Sequence, residues 1–168
     1  MNSKTMPCPT CGSEMSCRLG EYHYRESGLD NLYLTEVEIW ECPCGEEVVG
    51  IPNLPGLHDL IARTLVQKKS FLKGGEIRFL RKNLALPAKD FAALLGVDPA
   101  TVSRWENGKQ TPGPLADRFI RMVYAASKGL PLEQVMEGFS SIGPDAELPL
   151  HFRLPRRLWE AAVEDGPS

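Results

Sequence analysis

Five cysteines stand in this 168-residue chain, and four of them fall in two close pairs. Cys8-Pro-Thr-Cys11 is followed by Gly12, and Cys42-Pro-Cys44 by Gly45. Two thiolates two residues apart, on a turn relaxed by a glycine, can reach one ion. Tetrahedral zinc takes four sulfur or nitrogen ligands at about 2.0–2.3 Å, and two knuckles on neighbouring turns supply them. The spacing therefore predicts zinc on Cys8, Cys11, Cys42 and Cys44. The second pair is one residue tighter and its bite narrower, so Cys17 is an alternative ligand in place of Cys42 or Cys44, and His23 a weaker one. Four thiolates leave no open position, which makes the metal structural. A redox pair is the competing chemistry, but Cys8 and Cys11 lack the βαβ context of a thioredoxin-like motif.

A second set of residues runs from Ala88 to Gly108. Phe91 and Leu95 give a first short helix its apolar stripe. Ala92 is small where two helices must cross, and Gly96 permits a sharp turn. Asp98 is an N-cap, Pro99 suits the first helical position and Gly108 is a C-terminal stop. On the second helix, Val102 and Trp105 point to the core, with Val97 just ahead of them. Ala100, Ser103, Arg104 and Asn107 recur at i, i+3, i+4 and i+7 on the opposite face. A small residue, a hydroxyl, a guanidinium and an amide suit a surface that reads base edges in a DNA major groove. In an ordinary helical bundle this would be a solvated face, but the turn, cap and polar face are all in register for DNA.

Residues 74–126 resemble the Xre/Cro-type helix-turn-helix domain, with Val102-Ser103-Arg104-Trp105-Glu106-Asn107-Gly108 close to that family's signature. The resemblance implies an all-α domain of five helices whose third, about 98–107, reads DNA. That family often opens its first motif helix with a phosphate-binding glutamine. Ala88 stands there in this chain, and Lys89 takes over part of the contact. The DNA-facing set is then Lys89, Ala100, Thr101, Ser103, Arg104 and Asn107.

Charge divides along the chain. The formal total is −3, which alone argues against a nucleic-acid partner. Residues 1–61 carry three basic and ten acidic side chains, whereas 62–73 carry four basic and none acidic. Residues 74–126 hold eight basic against five acidic. This asymmetry places DNA at the middle of the chain and a different task at its front. The positive excess is small, so non-specific DNA affinity is expected to be weak. No signal peptide opens the chain and no apolar run approaches the roughly 18 residues of a membrane span. The expectation is a soluble, cytoplasmic protein, associated with the nucleoid when bound to DNA. In a reducing cytoplasm its cysteines serve as ligands or buried thiols rather than disulfides.

Between the knuckles, Tyr22 to Glu41 reads as strand, turn, strand. Val37 and Ile39 alternate with Glu36, Glu38 and Trp40, and Ser27-Gly28-Leu29-Asp30-Asn31 supplies the turn. So small a sheet needs a metal to fold. With the Cys-x-x-Cys-Gly knuckle, a Tyr-x-Tyr-x-Glu-Ser-Gly-Leu stretch, a second cysteine pair before Gly-Glu and the helix-turn-helix region, residues 6–126 resemble the MqsA-type (YgiT-type zinc-finger) antitoxins. The resemblance implies an N-terminal zinc module that neutralises an mRNA-cleaving toxin and a helix-turn-helix domain that dimerises on a palindromic operator. The family's base-reading arginine falls on Arg104 and its base-reading asparagine on Ala100, so the operator sequence should differ.

The remaining segments are punctuated by glycine and proline. Ile51 to Gly56 reads as a break, followed by a helix from about Leu57 to Phe71 with Leu57, Leu60, Ile61, Thr64 and Leu65 on one face. Its basic end, Lys68-Lys69, lies along phosphate or is simply solvated. Lys73-Gly74-Gly75 is a flexible join before Ile77, Leu80 and Leu84. Leu115, Phe119 and Met122 make the apolar stripe of a later helix. A further stripe, Leu132, Val135, Met136 and Phe139, is expected in part at a dimer interface, and a short helix is expected near Arg156–Val163.

The organisation expected is thus α+β: a zinc-bound β module over 1–52, a helical linker over 53–73, a helix-turn-helix domain over 74–126 and a C-terminal extension over 127–168. The function expected is a homodimeric, DNA-binding repressor of the antitoxin type. The alternative is a stand-alone zinc-containing regulator without a toxin. An enzyme is disfavoured, because His23, His58 and His151 are scattered without a paired acid or nucleophile.

Overall fold

Six strands and six helices follow one another in the computed structural model, which describes residues 5–143, 149–153 and 159–161. The order is β1 (Met6–Pro7), β2 (Glu14–His23), β3 (Leu32–Glu41), β4 (Glu47–Gly50), α1 (Leu54–Gln67), α2 (Gly74–Asn83), α3 (Ala88–Leu95), α4 (Pro99–Glu106), α5 (Pro114–Lys128), α6 (Leu132–Glu137), β5 (Leu150–Arg153) and β6 (Glu160–Ala161). The architecture is α+β, as expected. It forms two compact units, one of residues 1–25, 31–57 and 149–168, the other of 26–30 and 58–148.

In the first unit β3 is the hub. It pairs antiparallel with β2 from Ser16↔Glu41 to His23↔Tyr33, and antiparallel with β4 from Glu38↔Gly50 to Glu41↔Glu47. The β2–β3 register shifts between Gly20 and Tyr22, with Val37 opposite Gly20 and Leu34 opposite Tyr22. Thr35 and Glu36 therefore share one partner position, and Glu36 adopts φ 59. Such a bulge reverses the alternation, so Leu32 and Leu34 before it and Val37 and Ile39 after it are all buried. Trp40, expected on the polar side, is buried too, against Cys8, Met15 and Cys42.

The far end of the chain completes this sheet. β5 runs parallel to β3, from Leu32↔Leu150 to Thr35↔Arg153, and β6 pairs with β5. Phe152 is buried, and Trp159 Nε1 donates to the Pro52 carbonyl at 2.8 Å. A row of rings crosses three strands: His23 stacks on Tyr33 at 4.6 Å and Tyr33 on His151 at 5.3 Å. Of the helix expected near Arg156–Val163, Glu160–Ala161 is strand and Trp159 is neither. The rest of that stretch lies outside the described residues.

The helices of the second unit carry several corrections. α1 begins and ends about three residues earlier than periodicity suggested, and its buried stripe is Leu57, Ile61, Ala62, Leu65 and Val66. Lys68 lies beyond its end and pairs with Glu76 at 2.7 Å. Gly74 and Gly75 form the first turn of α2 rather than a flexible join. A Cβ on Gly74 would come within 2.3 Å of the Trp105 carbonyl, so only glycine lets α2 approach the end of α4 this closely. On α5 the expected apolar stripe is the outer face, with Leu115 81% and Phe119 44% exposed. Its inner face is Asp117, Ile120, Arg121, Tyr124 and Ala125. Arg121 Nε donates to Asp117 at 2.8 Å, and its guanidinium also donates to the carbonyls of Val66, Lys68 and Ser70. Asp117 in turn accepts from the Leu72 N–H at 2.6 Å. On α6 only Val135 of the expected stripe is buried; Leu132 and Met136 are exposed.

Candidate metal centre and nucleic-acid interface

Each cysteine pair sits on a turn that the backbone closes itself. In the first, the Gly12 N–H donates to the Cys8 carbonyl at 2.9 Å and the Cys8 N–H to Ser13 at 2.8 Å. In the second, the Gly45 N–H donates to the Cys42 carbonyl and the Cys42 N–H to Glu46, both at 2.9 Å. The glycine after each second cysteine takes a left-handed conformation, φ 76 at Gly12 and φ 94 at Gly45, which a side chain would disfavour. Thr10 joins the turns by donating to the Glu46 carboxylate at 3.0 Å.

The four thiol sulfurs lie within 4.8 Å of one another, with Cys8 Sγ to Cys44 Sγ at 3.7 Å and Cys11 Sγ to Cys42 Sγ at 3.5 Å. A tetrahedron with metal–sulfur bonds of about 2.3 Å has sulfur–sulfur edges of about 3.8 Å. The group is thus already near the size of a four-coordinate thiolate site, narrow second pair included. Cys17 lies outside the cluster on β2, paired across the ladder with Trp40, and His23 is occupied by its ring stack. Hydrogen bonds among the thiols favour the ionisation of one at the expense of another. The Ser13 hydroxyl and backbone draw Cys11 down to about 6. At Cys42 the backbone bond from Cys44 pulls down, but burial and the other three thiols push it up to about 12. A second thiolate beside the first needs a cation, so the donor set and its spacing could hold a metal ion.

The second site is built on α3 and α4. Gly96 turns the chain between them at φ 66, the Asp98 carboxylate accepts from the Ala100 N–H at 2.7 Å, and Gly108 ends the unit at φ 68. Val102 and Trp105 are buried, whereas Val97 is only half-buried. Lys89, Ala100, Ser103, Arg104 and Asn107 are exposed and Thr101 is half-buried. Arg104 lies along the helix surface, donating from Nη2 to Thr101 Oγ1 at 2.9 Å and from Nε to Gln110 Oε1 at 3.1 Å. Asn107 closes the helix: its Nδ2 donates to the Ser103 carbonyl at 2.8 Å and its Oδ1 accepts from Arg78 at 2.7 Å.

Sequence reasoning missed what holds α4 in place. Glu106, buried, accepts from Arg81 at both oxygens, 2.6 and 3.0 Å, and lies 3.5 Å from Arg78 Nε. Arg81 also donates to the Leu86 carbonyl at 2.8 Å, and the Glu106 hydrogen bond raises its pKa. An acid in the last turn of a helix opposes the helix dipole. That mismatch in the sequence was the available signal that Glu106 has a cation to meet.

Residues 77–115 match the helix-turn-helix family, a DNA-binding regulatory domain of the Xre/Cro type. The match spans the C-terminal part of the expected domain's first helix through the start of α5. No curated protein and no solved structure matches the chain. Among the described residues no helix is long and apolar enough to cross a membrane.

Proposed function

We propose that the protein is a sequence-specific, DNA-binding transcriptional repressor in which α4 enters the major groove. The exposed guanidinium of Arg104, in the last turn of α4 on its outward face, carries this reading. Its fork can exchange Thr101 and Gln110 for the O6 and N7 of a guanine. Ala100 admits close approach, Thr101 and Ser103 offer hydroxyls, and Asn107 and Lys89 lie towards the backbone phosphates. Two copies related by a two-fold axis would meet successive major grooves about 34 Å apart, which implies a homodimer on a palindromic operator. A titration of wild type, Arg104→Ala and Lys89→Ala on operator and scrambled DNA tests the assignment. Arg104→Ala should relax preference at one base pair per half-site, and Lys89→Ala should weaken all sequences alike.

The metal is zinc, held by Cys8, Cys11, Cys42 and Cys44, and structural because four thiolates fill a tetrahedral shell. Its role is to fasten the two knuckles to the small core of Met15 and Trp40. The protein is further proposed to be the antitoxin of a type II toxin–antitoxin pair, with the N-terminal module neutralising the toxin. The MqsA-type pattern of residues and the acidic front segment support this. Co-expression of the full chain with the product of the adjacent gene tests it. The full chain is required because β5 and β6 belong to the same sheet as β1–β4. Absence of both complex and rescue would leave a stand-alone zinc-containing regulator.

A further inference from the structure

The chain folds back onto Arg104 where α4 ends. Gly108, at φ 68, reverses the backbone, and the N–H groups of Lys109 and Gln110 both donate to the Arg104 carbonyl, at 2.9 and 3.3 Å. A left-handed glycine beyond a helix lets the following residues meet its last free carbonyls in this way. The turn places Gln110 beside the Arg104 side chain, and Gln110 Oε1 accepts from Arg104 Nε at 3.1 Å. Thr101 stands three residues before Arg104 on the same face of the helix. Its Oγ1 accepts from Arg104 Nη2 at 2.9 Å. The guanidinium is thus held from two sides, by one residue of the helix and one of the turn that follows it.

A guanidinium only donates, so Gln110 must turn its amide oxygen towards Arg104 and its NH2 group away. The two bonds occupy Nε and one hydrogen of Nη2. Nη1 makes no hydrogen bond among the described residues, and Nη2 carries a second hydrogen. These two nitrogens form the end of the fork, whose parallel donors match guanine O6 and N7. Reading a guanine therefore does not require that the Gln110 bond be given up.

We propose that Gln110 is a positioning residue for base reading, whose bond to Nε holds Arg104 in the arrangement that meets guanine. The proposal rests on the reading of α4 as the helix that faces DNA. An untethered arginine must lose most of its rotational freedom on reaching a base, and one already held loses less. Immobilising a side chain rich in rotamers costs about two- to tenfold in affinity. Gln110 removes part of that cost only where Arg104 finds its guanine, so it acts on preference at that base pair and not on overall affinity.

The experiment uses the full chain and three replacements of Gln110. Gln110→Met keeps the length and loses the acceptor, Gln110→Ala loses both, and Gln110→Glu keeps an acceptor. In free protein labelled with nitrogen-15, the Arg104 Nε–H resonance is identified by its loss in Arg104→Ala. Its exchange with water should quicken in Gln110→Met and Gln110→Ala and stay slow in Gln110→Glu. The DNA probe is a duplex pool randomised over a central segment, from which each variant selects its preferred sequences. Guanine preference at the base pair that Arg104→Ala releases should fall about two- to tenfold in Gln110→Met. The other positions should keep their preference, and Gln110→Glu should retain it at all of them. Adding Gln110→Met to Arg104→Ala should change base preference no further, since both act through one contact. Wild-type preference in Gln110→Met, beside a loss in Arg104→Ala, would overturn the proposal and leave the DNA reading standing. A further loss in the double variant would overturn it too, because Gln110 would then touch DNA itself. A wild type that selects no sequence would overturn the reading of α4 and this proposal with it.

Discussion

Replacing Glu106 with alanine removes the acceptor that ties α4 to α2. The Arg81 and Glu106 side chains are 13% and 7% exposed, and their contact is bidentate at 2.6 and 3.0 Å. Stranding one member of a buried pair costs about 3–5 kcal/mol. Arg81 keeps its bond to the Leu86 carbonyl, and its partial exposure lets water reach the freed guanidinium. The lower end, about 3 kcal/mol, is therefore expected. Against a total stability of about 5–15 kcal/mol, that is a large fraction. Urea unfolding of the full chain, followed by helical circular dichroism, should show an earlier midpoint with little change in slope. Replacing Arg81 and Glu106 together with methionine should recover most of the loss, because no charge is then left buried. A loss below about 1 kcal/mol in Glu106→Ala, the range of exposed ion pairs, would refute the buried clamp.

Three further outcomes follow from the same structure. Purified protein should carry about one zinc per chain, and chelation should unfold the N-terminal sheet while sparing helical signal; a metal-free protein with a folded sheet would contradict the thiolate site. Phe152→Ala should destabilise the sheet unit by about 3–5 kcal/mol, since Phe152 is fully buried on β5; near-wild-type melting would mean that the C-terminal strand is dispensable. Burial lowers the pKa of His58, with Asp59 opposing it, from an ordinary 6.5. The folded form then binds fewer protons than the unfolded one, so this stabilisation is present above 6.5 and is lost as pH falls below it. His58→Leu should flatten that part of the melting-temperature profile between neutral pH and about 5.5, and an unchanged slope would sink the assignment.

The features legible in the sequence are those set by local chemistry. Cysteine spacing with a following glycine gave the sulfur cluster, because each knuckle is closed by bonds between residues at most five apart. Gly96, Asp98, Pro99 and Gly108 delimited α4 because turns and caps are decided by the residues that make them. What escaped depends on partners far away in the chain. The parallel pairing of β5 with β3 joins residues more than a hundred positions apart, and no local pattern encodes it. The inner face of α5 was misread because apolar periodicity cannot see Asp117 and Arg121, which are buried as a mutually satisfied pair. Trp40 reads as polar-side from its alternation with Val37 and Ile39, because that local pattern cannot show that Cys8, Met15 and Cys42 cover the opposite face.

The most direct measurement is operator binding by Arg104→Ala, compared with wild type on operator and scrambled DNA at two salt concentrations. Arg104 should contribute about 1–3 kcal/mol of discrimination at a guanine. The variant is therefore expected to lose roughly tenfold or more on the operator while keeping its affinity for scrambled DNA and nearly its salt dependence. An operator preference equal to that of wild type would show that the outward face of α4 does not read sequence through this residue.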